Sequence, residues 1–172
     1  MGDLALVVLA GLPGTGKTTL ARRLAAAVPA AYLRIDAIET AVIRCGLARP
    51  PVGPIGYAVA HEVAVSTLGA GVSVVADAVN PVAEARQGWR DLASRTEARL
   101  VVFETVVADR DEHRRRVIER KPDLDGQSVP TWEQIQASDY LTWDETRDGP
   151  RIVVDMIDAD EGYRNAIRHL GN

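Results

Sequence analysis

The residues with the clearest chemistry are Gly11-Leu12-Pro13-Gly14-Thr15-Gly16-Lys17-Thr18, which fit G-x-x-x-x-G-K-[ST] in full. Glycines at these positions let consecutive backbone N–H groups turn inward as an anion nest, which side chains would obstruct. A helix starting near Lys17 would aim its positive end at the same point. Lys17 has the reach for the β- and γ-phosphates of a nucleotide, and the Thr18 hydroxyl is a ligand for Mg²⁺. The whole stretch Gly11, Pro13, Gly14, Thr15, Gly16, Lys17, Thr18 and Thr19 is therefore the expected ATP contact. Average residue usage would produce the motif by chance in roughly one chain of this length in a hundred.

A second candidate is Asp77, which closes the apolar run Val74-Val75-Ala76 and would complete a Mg²⁺ shell through water. Its alternative is a turn carboxylate ahead of Asn80-Pro81. Ala78 follows it, so no acidic pair is present to activate a water. Neither an N-K-x-D guanine-reading motif nor an L-S-G-G-Q signature occurs. GTPase, transporter ATPase and remodelling ATPase readings weaken together, and a phosphoryl transferase remains. A third group is Arg110, Arg114, Arg115, Arg116 and Arg120, whose forks suit the charge spread over a transferring phosphoryl group. Arg116 and Arg120 are four apart and share a helix face. The same helix also reads as a solvated surface stitched by Asp111–Arg115 and Glu112–Arg116 pairs.

Elements that position these groups follow from hydrophobic period. Leu4–Ala10 is a continuous apolar run, as in a strand buried on both faces. Further strands are expected at Ala31–Ile35, Val72–Ala76, Arg99–Val107 and Arg151–Met156. Helices are expected at Thr18–Val28, Asp36–Cys45, Tyr57–Ala70, Asn80–Thr96, Asp109–Arg120, Thr131–Tyr140 and Asp160–Leu170. Asn80-Pro81 reads as an N-cap followed by Pro at the first helical position. The proline-rich residues 47–55 form a loop. Strands alternating with helices imply a three-layer α/β domain around a parallel sheet.

Composition bounds the rest. The chain has 172 residues, a net charge of -4 and 5% aromatic residues, which argues against a nucleic-acid partner. Only Lys17 and Lys121 are lysine, against 18 arginines. Cys45 is the sole cysteine, so no intrachain disulfide forms. The N-terminal apolar run has no basic residue before it, and no segment reaches bilayer length; a cytoplasmic protein is expected.

The order of motifs resembles the AAA-type, ATP-binding P-loop kinase group that includes chloramphenicol phosphotransferase, zeta toxins and polynucleotide 5′-hydroxyl kinases. The matching residues are Gly11–Thr18, Arg34-Ile35-Asp36, Gly71–Asn80 and Arg116-Val117-Ile118-Glu119-Arg120. The resemblance implies a P-loop NTPase fold with five parallel strands in the order 2-3-1-4-5, and a small helical lid over 109–130. It implies ATP and Mg²⁺, with a small-molecule hydroxyl as acceptor. It makes Asp36 the general base, although Asp36-Ala37-Ile38-Glu39 also reads as an N-cap with an acidic N3 partner. It assigns Arg116 and Arg120, with Lys17, to the transferred charge. Two departures bear on the substrate: Glu39 stands where D-x-x-R has Arg, and D-x-T-N reads Asp77-Ala78-Val79-Asn80. The acceptor side should lie between Asp36 and His61, with Tyr57 and His61 on one helix face. Polynucleotide 5′-kinase and non-catalytic ATP-binding regulatory module are the alternatives. Nothing in 157–162 decides between ATP and GTP.

Overall fold

A computed structural model describes residues 4–171. Five strands, β1 (Ala5–Ala10), β2 (Ala30–Arg34), β3 (Ser73–Asp77), β4 (Arg99–Val106) and β5 (Ile152–Asp155), form one sheet. Every pairing is parallel, in the order β2-β3-β1-β4-β5. The strands are joined through α1 (Lys17–Ala27), α2 (Ile35–Arg44), α3 (Ile55–Gly69), α4 (Ala83–Thr96), α5 (Arg110–Glu119), α6 (Trp132–Gln136) and α7 (Glu145–Asp148), and α8 (Ala159–Arg168) closes the chain.

The alternation within β1 explains the three layers. Leu6, Val8 and Ala10 face a core that includes Ala60, Ala64 and Leu68 of α3 and Trp89 and Leu92 of α4. Val7 and Leu9 face the opposite core, with Leu20 and Leu24 of α1 and Ala166 of α8. A central strand covered on both faces needs apolar residues at every position, which is what the sequence supplies. Trp132 and Trp143 are packing residues: Trp132 joins Val117 and Ile135 in a small third cluster, and Trp143 joins the α3–α4 core. Among the described residues no helix is long and apolar enough to cross a membrane.

Three local expectations are corrected. Asn80 does not start α4, which begins three residues later behind Val82. Instead Asn80 sits buried at φ 52, its amide nitrogen donating to the Leu9 carbonyl and its amide oxygen accepting from the Trp89 indole. Those long-range bonds outweigh the local capping preference. Asp36 is not an N-cap either, because α2 already begins at Ile35. The helix expected over Thr131–Tyr140 stops at Gln136, and α7 is additional, capped by the Asp144 side chain.

Candidate active site

The turn between β1 and α1 is built to leave backbone amides exposed. Gly11 adopts φ 126, and a Cβ there would run into the Thr105 backbone carbonyl. Gly14 adopts φ 83, and its absent Cβ would lie 2.6 Å from a Val117 methyl on α5. Gly16 is the N-cap of α1 and brings no side chain to its first turn, so those N–H groups stay available to an anion. Thr15 is buried, bonded through its hydroxyl to Thr105 Oγ1 at 2.7 Å and to the Leu12 carbonyl at 2.8 Å. Its side chain therefore braces the turn. Gly11 and Thr15 lie behind the loop, whereas Pro13, Gly14, Gly16, Lys17, Thr18 and Thr19 line a cleft of about 1340 Å³.

The Lys17 ammonium donates to the Leu12 carbonyl at 2.8 Å. Burial lowers its pKa to about 8, against the pull of the Asp77 and Asp36 carboxylates. An ammonium that is buried, short of charge partners and bonded to its own loop is poised for an incoming anion.

Asp77 ends β3 next to β1, and its Oδ2 accepts from the Tyr32 hydroxyl at 2.8 Å. Burial, reinforced by Asp77, pushes the Tyr32 phenol upward, so it stays a donor. No other hydrogen bond reaches the Asp77 carboxylate, and none reaches the Thr18 hydroxyl, among the described residues. One carboxylate oxygen and one hydroxyl are hard-oxygen ligands of the kind Mg²⁺ takes with phosphate and water. No group of three or more His, Cys, Asp or Glu among the described residues could hold a metal without such help. The donor set fits a magnesium ion that arrives with a nucleotide.

Asp36 lies in the first turn of α2, at the carboxyl end of β2, and lines the same cleft. Its Oδ2 accepts from Gln127 Nε2 at 2.9 Å and Arg34 Nη2 at 3.4 Å, with Arg120 Nη2 at 3.8 Å. Arg34 is 4% exposed and grips Asp123 through both its Nη atoms, at 2.7 and 2.8 Å. That fork holds the Asp123 carboxyl down at about 2. Arg34 Nε has no hydrogen-bond partner and sits 3.9 Å from Asp77. Arg34 thus links both candidate carboxylates to the loop that follows α5.

The helix α5 docks on the phosphate loop through Val117 and through His113, whose Nε2 is 2.8 Å from the Pro13 carbonyl. Arg116 pairs with Glu112 and donates to the Met156 and Ile157 carbonyls at 2.8 and 2.9 Å, just past β5. Arg120 leans on Asp36 instead. Arg115 is stitched to Glu112 and Glu119, and Arg110 to Gln136, as a surface helix would have them. The arginine cluster therefore divides: Arg115, Arg116 and Arg120 line the cleft, Arg115 while tied to Glu112 and Glu119, whereas Arg110 is held to Gln136 away from it.

On the acceptor side, Pro50, Pro51, Val52, Gly53 and Tyr57 line the cleft. The Tyr57 hydroxyl accepts from the Asn80 N–H at 3.0 Å. His61 shares the helix face, its ring edge-on to Tyr57 at 6.4 Å, but does not line the cleft. Its ring packs edge-on against Trp89 at 4.3 Å with Nε2 buried and unbonded, and burial lowers its pKa. Glu39 lines the cleft beside Asp36 with no hydrogen bond or ion pair among the described residues; burial, then Asp36, raises its pKa to about 7. His113, Asp123 and Gln127 were not singled out by sequence reasoning, since each acts on a partner about a hundred residues away.

The family model described as AAA domain matches residues 6–139. No curated protein sequence matches the chain. Several solved structures share the fold. Kti12 of Chaetomium thermophilum, in complex with ADP-AlF3, superposes with a TM-score of 0.71 at 19% identity, covering 96% of each chain. The Mycobacterium tuberculosis APS kinase in complex with AMPPNP and APS gives 0.66 at 18% identity, over 100% of each. A gluconokinase from Sinorhizobium meliloti gives 0.66 at 16%, over 99% of this chain and 97% of that one.

Proposed function

We infer that this chain, which belongs to the AAA domain family, is an ATP- and Mg²⁺-dependent phosphotransferase acting on a hydroxyl group of a small molecule. The observation that carries the reading is a single cleft lined by the phosphate loop, by Asp77 and by Asp36. The kinase-like P-loop fold supports nucleotide-dependent chemistry, and the APS kinase and gluconokinase likenesses are consistent with transfer to a hydroxyl.

In this reading the α1 amides, Gly14, Gly16 and Lys17 hold the β- and γ-phosphates. Thr18 and Asp77 would hold Mg²⁺, which offsets phosphate charge when bound. Asp36 takes the proton of the acceptor hydroxyl as its oxygen bonds to the γ-phosphorus. The bond from that phosphorus to the β,γ-bridging oxygen breaks, and ADP leaves. Arg120 stabilises the charge on the moving phosphoryl group, and Arg116 closes the nucleotide end through its contacts beyond β5. The lid is the segment 109–130.

The test is incubation with Mg·ATP and a metabolite mixture, reading a mass gain of one phosphate. Acceptor phosphorylation abolished by Lys17→Ala and by Asp36→Asn is the expected result. Tight ATP binding with no acceptor phosphorylated anywhere in the mixture would replace this reading with a regulatory ATP-binding module. Undiminished Mg·ATP affinity in Lys17→Ala would refute the loop assignment.

A further inference from the structure

The pairing of charges along the cleft bears on the acceptor. Most of its cations are already engaged: Arg22 and Arg34 with Asp123, Arg115 and Arg116 with Glu112, and Arg120 with Asp36. Beside Asp36 and Glu39, the cations Arg22, Arg34 and Arg120 therefore reach Asp123 and Asp36 rather than Glu39. The guanidinium of Arg34 is already committed, to both oxygens of Asp123 and to Asp36. Among the described residues no cation pairs with Glu39. An anionic group placed beside it would meet like charge from Glu39 and Asp36.

Glu39 thus stands apart from its neighbours. Asp36 has Gln127, Arg34 and Arg120, and Asp123 has Arg34 and Arg22. Glu39 has none of these, although its side chain is only partly exposed. Its stem and one carboxylate oxygen lie against Gly56 at the start of α3, where a Cβ would sit 2.6 Å from Glu39 Cγ and 2.8 Å from Oε1. The backbone there is therefore bare enough to admit the side chain, yet gives it no N–H bond. A half-buried carboxylate with no donor is an incomplete arrangement, and the pKa of about 7 reports the same deficit. Glu39 and Asp36 are three residues apart on α2, hence neighbours on one face, roughly 5–6 Å between Cβ atoms.

We propose that Glu39 selects the acceptor by pairing with a protonated amine on it, so that the substrate is an amino alcohol or amino sugar whose hydroxyl, a few bonds from the nitrogen, is presented to Asp36. The proposal rests on the phosphotransferase reading for Asp36 but makes a separate claim about charge. The ammonium supplies Glu39 with the donor it lacks. Neutral polyols leave that carboxylate unsatisfied, and carboxylated or phosphorylated ones face it with like charge.

The test uses the full chain saturated with Mg·AMPPNP. Matched sets of small alcohols, one being glucosamine, glucose and gluconate, are screened at millimolar concentration by ligand-observed NMR. Expected hits are the amine-bearing members. For the best hit, Glu39→Gln should raise Kd at least tenfold, and Glu39→Arg should abolish its binding while admitting a carboxylated counterpart. That gain cannot come from misfolding, and thermal unfolding of each variant supplies the fold check. The proposal is overturned if no amine-bearing member binds, if neutral or anionic members bind as well, or if Glu39→Gln leaves Kd unchanged. Transfer is read separately, by phosphate mass gain on the hits with Mg·ATP. An amine that binds through Glu39 but is never phosphorylated refutes the kinase reading alone. Phosphorylation of neutral or acidic alcohols in preference to amines refutes the Glu39 assignment alone.

Discussion

Replacing Glu39 by Gln should make the chain more stable, and only above a certain pH. In the folded chain the carboxylate has no donor and its pKa is raised from 4.5 to about 7, by burial first and by Asp36 second. Each tenfold gain in proton affinity is worth about 1.4 kcal/mol, so the full difference is about 3.4 kcal/mol. The group is only partly buried, and solvent screening reduces this to about 1–2 kcal/mol. The native state binds this proton more tightly than the unfolded chain does. Stability therefore declines as pH rises from about 4.5 to about 7 and is level beyond. Glutamine has no such proton, so the variant escapes the decline. Urea unfolding at pH 8 should show it more stable by about 1–2 kcal/mol, or roughly 3–6 °C in Tm for a domain of this size. At pH 5 the gap should shrink to about 0.5 kcal/mol or less. An equal gap at both values, or a wild type that is the more stable at pH 8, would refute an unpaired and half-buried Glu39.

Other perturbations probe the phosphate loop and the core. Gly14→Ala forces a Cβ into Val117 at a φ of 83, and should lose about 1–2 kcal/mol of stability and at least tenfold in Mg·ATP affinity, read by thermal unfolding and calorimetry. Lys17 gives up its proton near pH 8 in the free protein, while bound phosphates would retain it. Mg·ATP affinity should thus be level below pH 8 and fall as pH rises past it, by up to about tenfold per pH unit; a flat profile to pH 9.5 would contradict the contact. Arg86 and Asp148 form a fully buried pair at 2.6 Å, and Arg86 also serves the Asn80 and Leu141 carbonyls. Arg86→Met should cost about 1–3 kcal/mol in urea unfolding, because the buried Asn80 and Leu141 carbonyls lose a donor while Arg147 and the Asp144 N–H still serve Asp148.

The parts legible in the sequence are those in which the determinant is local. The phosphate loop is eight contiguous residues, and β1 announces itself because burial on both faces demands apolar residues throughout. Asp77 and Asp36 were recognisable as the acids that close β3 and follow β2. What escaped depends on chain segments far apart. Asn80 reads as a cap until the Leu9 carbonyl and the Trp89 indole claim it. Asp123 looks like any loop acid until Arg34, 89 residues earlier, grips it. His61 and Tyr57 do share a face, their rings edge-on at 6.4 Å, yet only Tyr57 lines the cleft while His61 packs against Trp89 between α3 and α4. The brief α7 has no apolar period at all and is defined by the Asp144 cap and the buried Asp148.

A net charge of -4 says little about a cleft in which both signs are present and mostly paired. Lys17 is bonded to the Leu12 carbonyl rather than to a carboxylate, so a polyphosphate can reach it without displacing an ion pair. Arg34 and Asp123 neutralise one another, and with the Asp123 carboxyl held at about 2 that pairing persists throughout the physiological pH range. Arg120 rests against Asp36, and no cation pairs with Glu39 among the described residues. The two substrates therefore meet different electrostatics within one cleft: the nucleotide meets an ammonium with no carboxylate on it, and the acceptor meets a carboxylate with no cation on it. A change at Glu39 can alter the charge preferred in the acceptor while the contacts of the phosphate loop stay as they are.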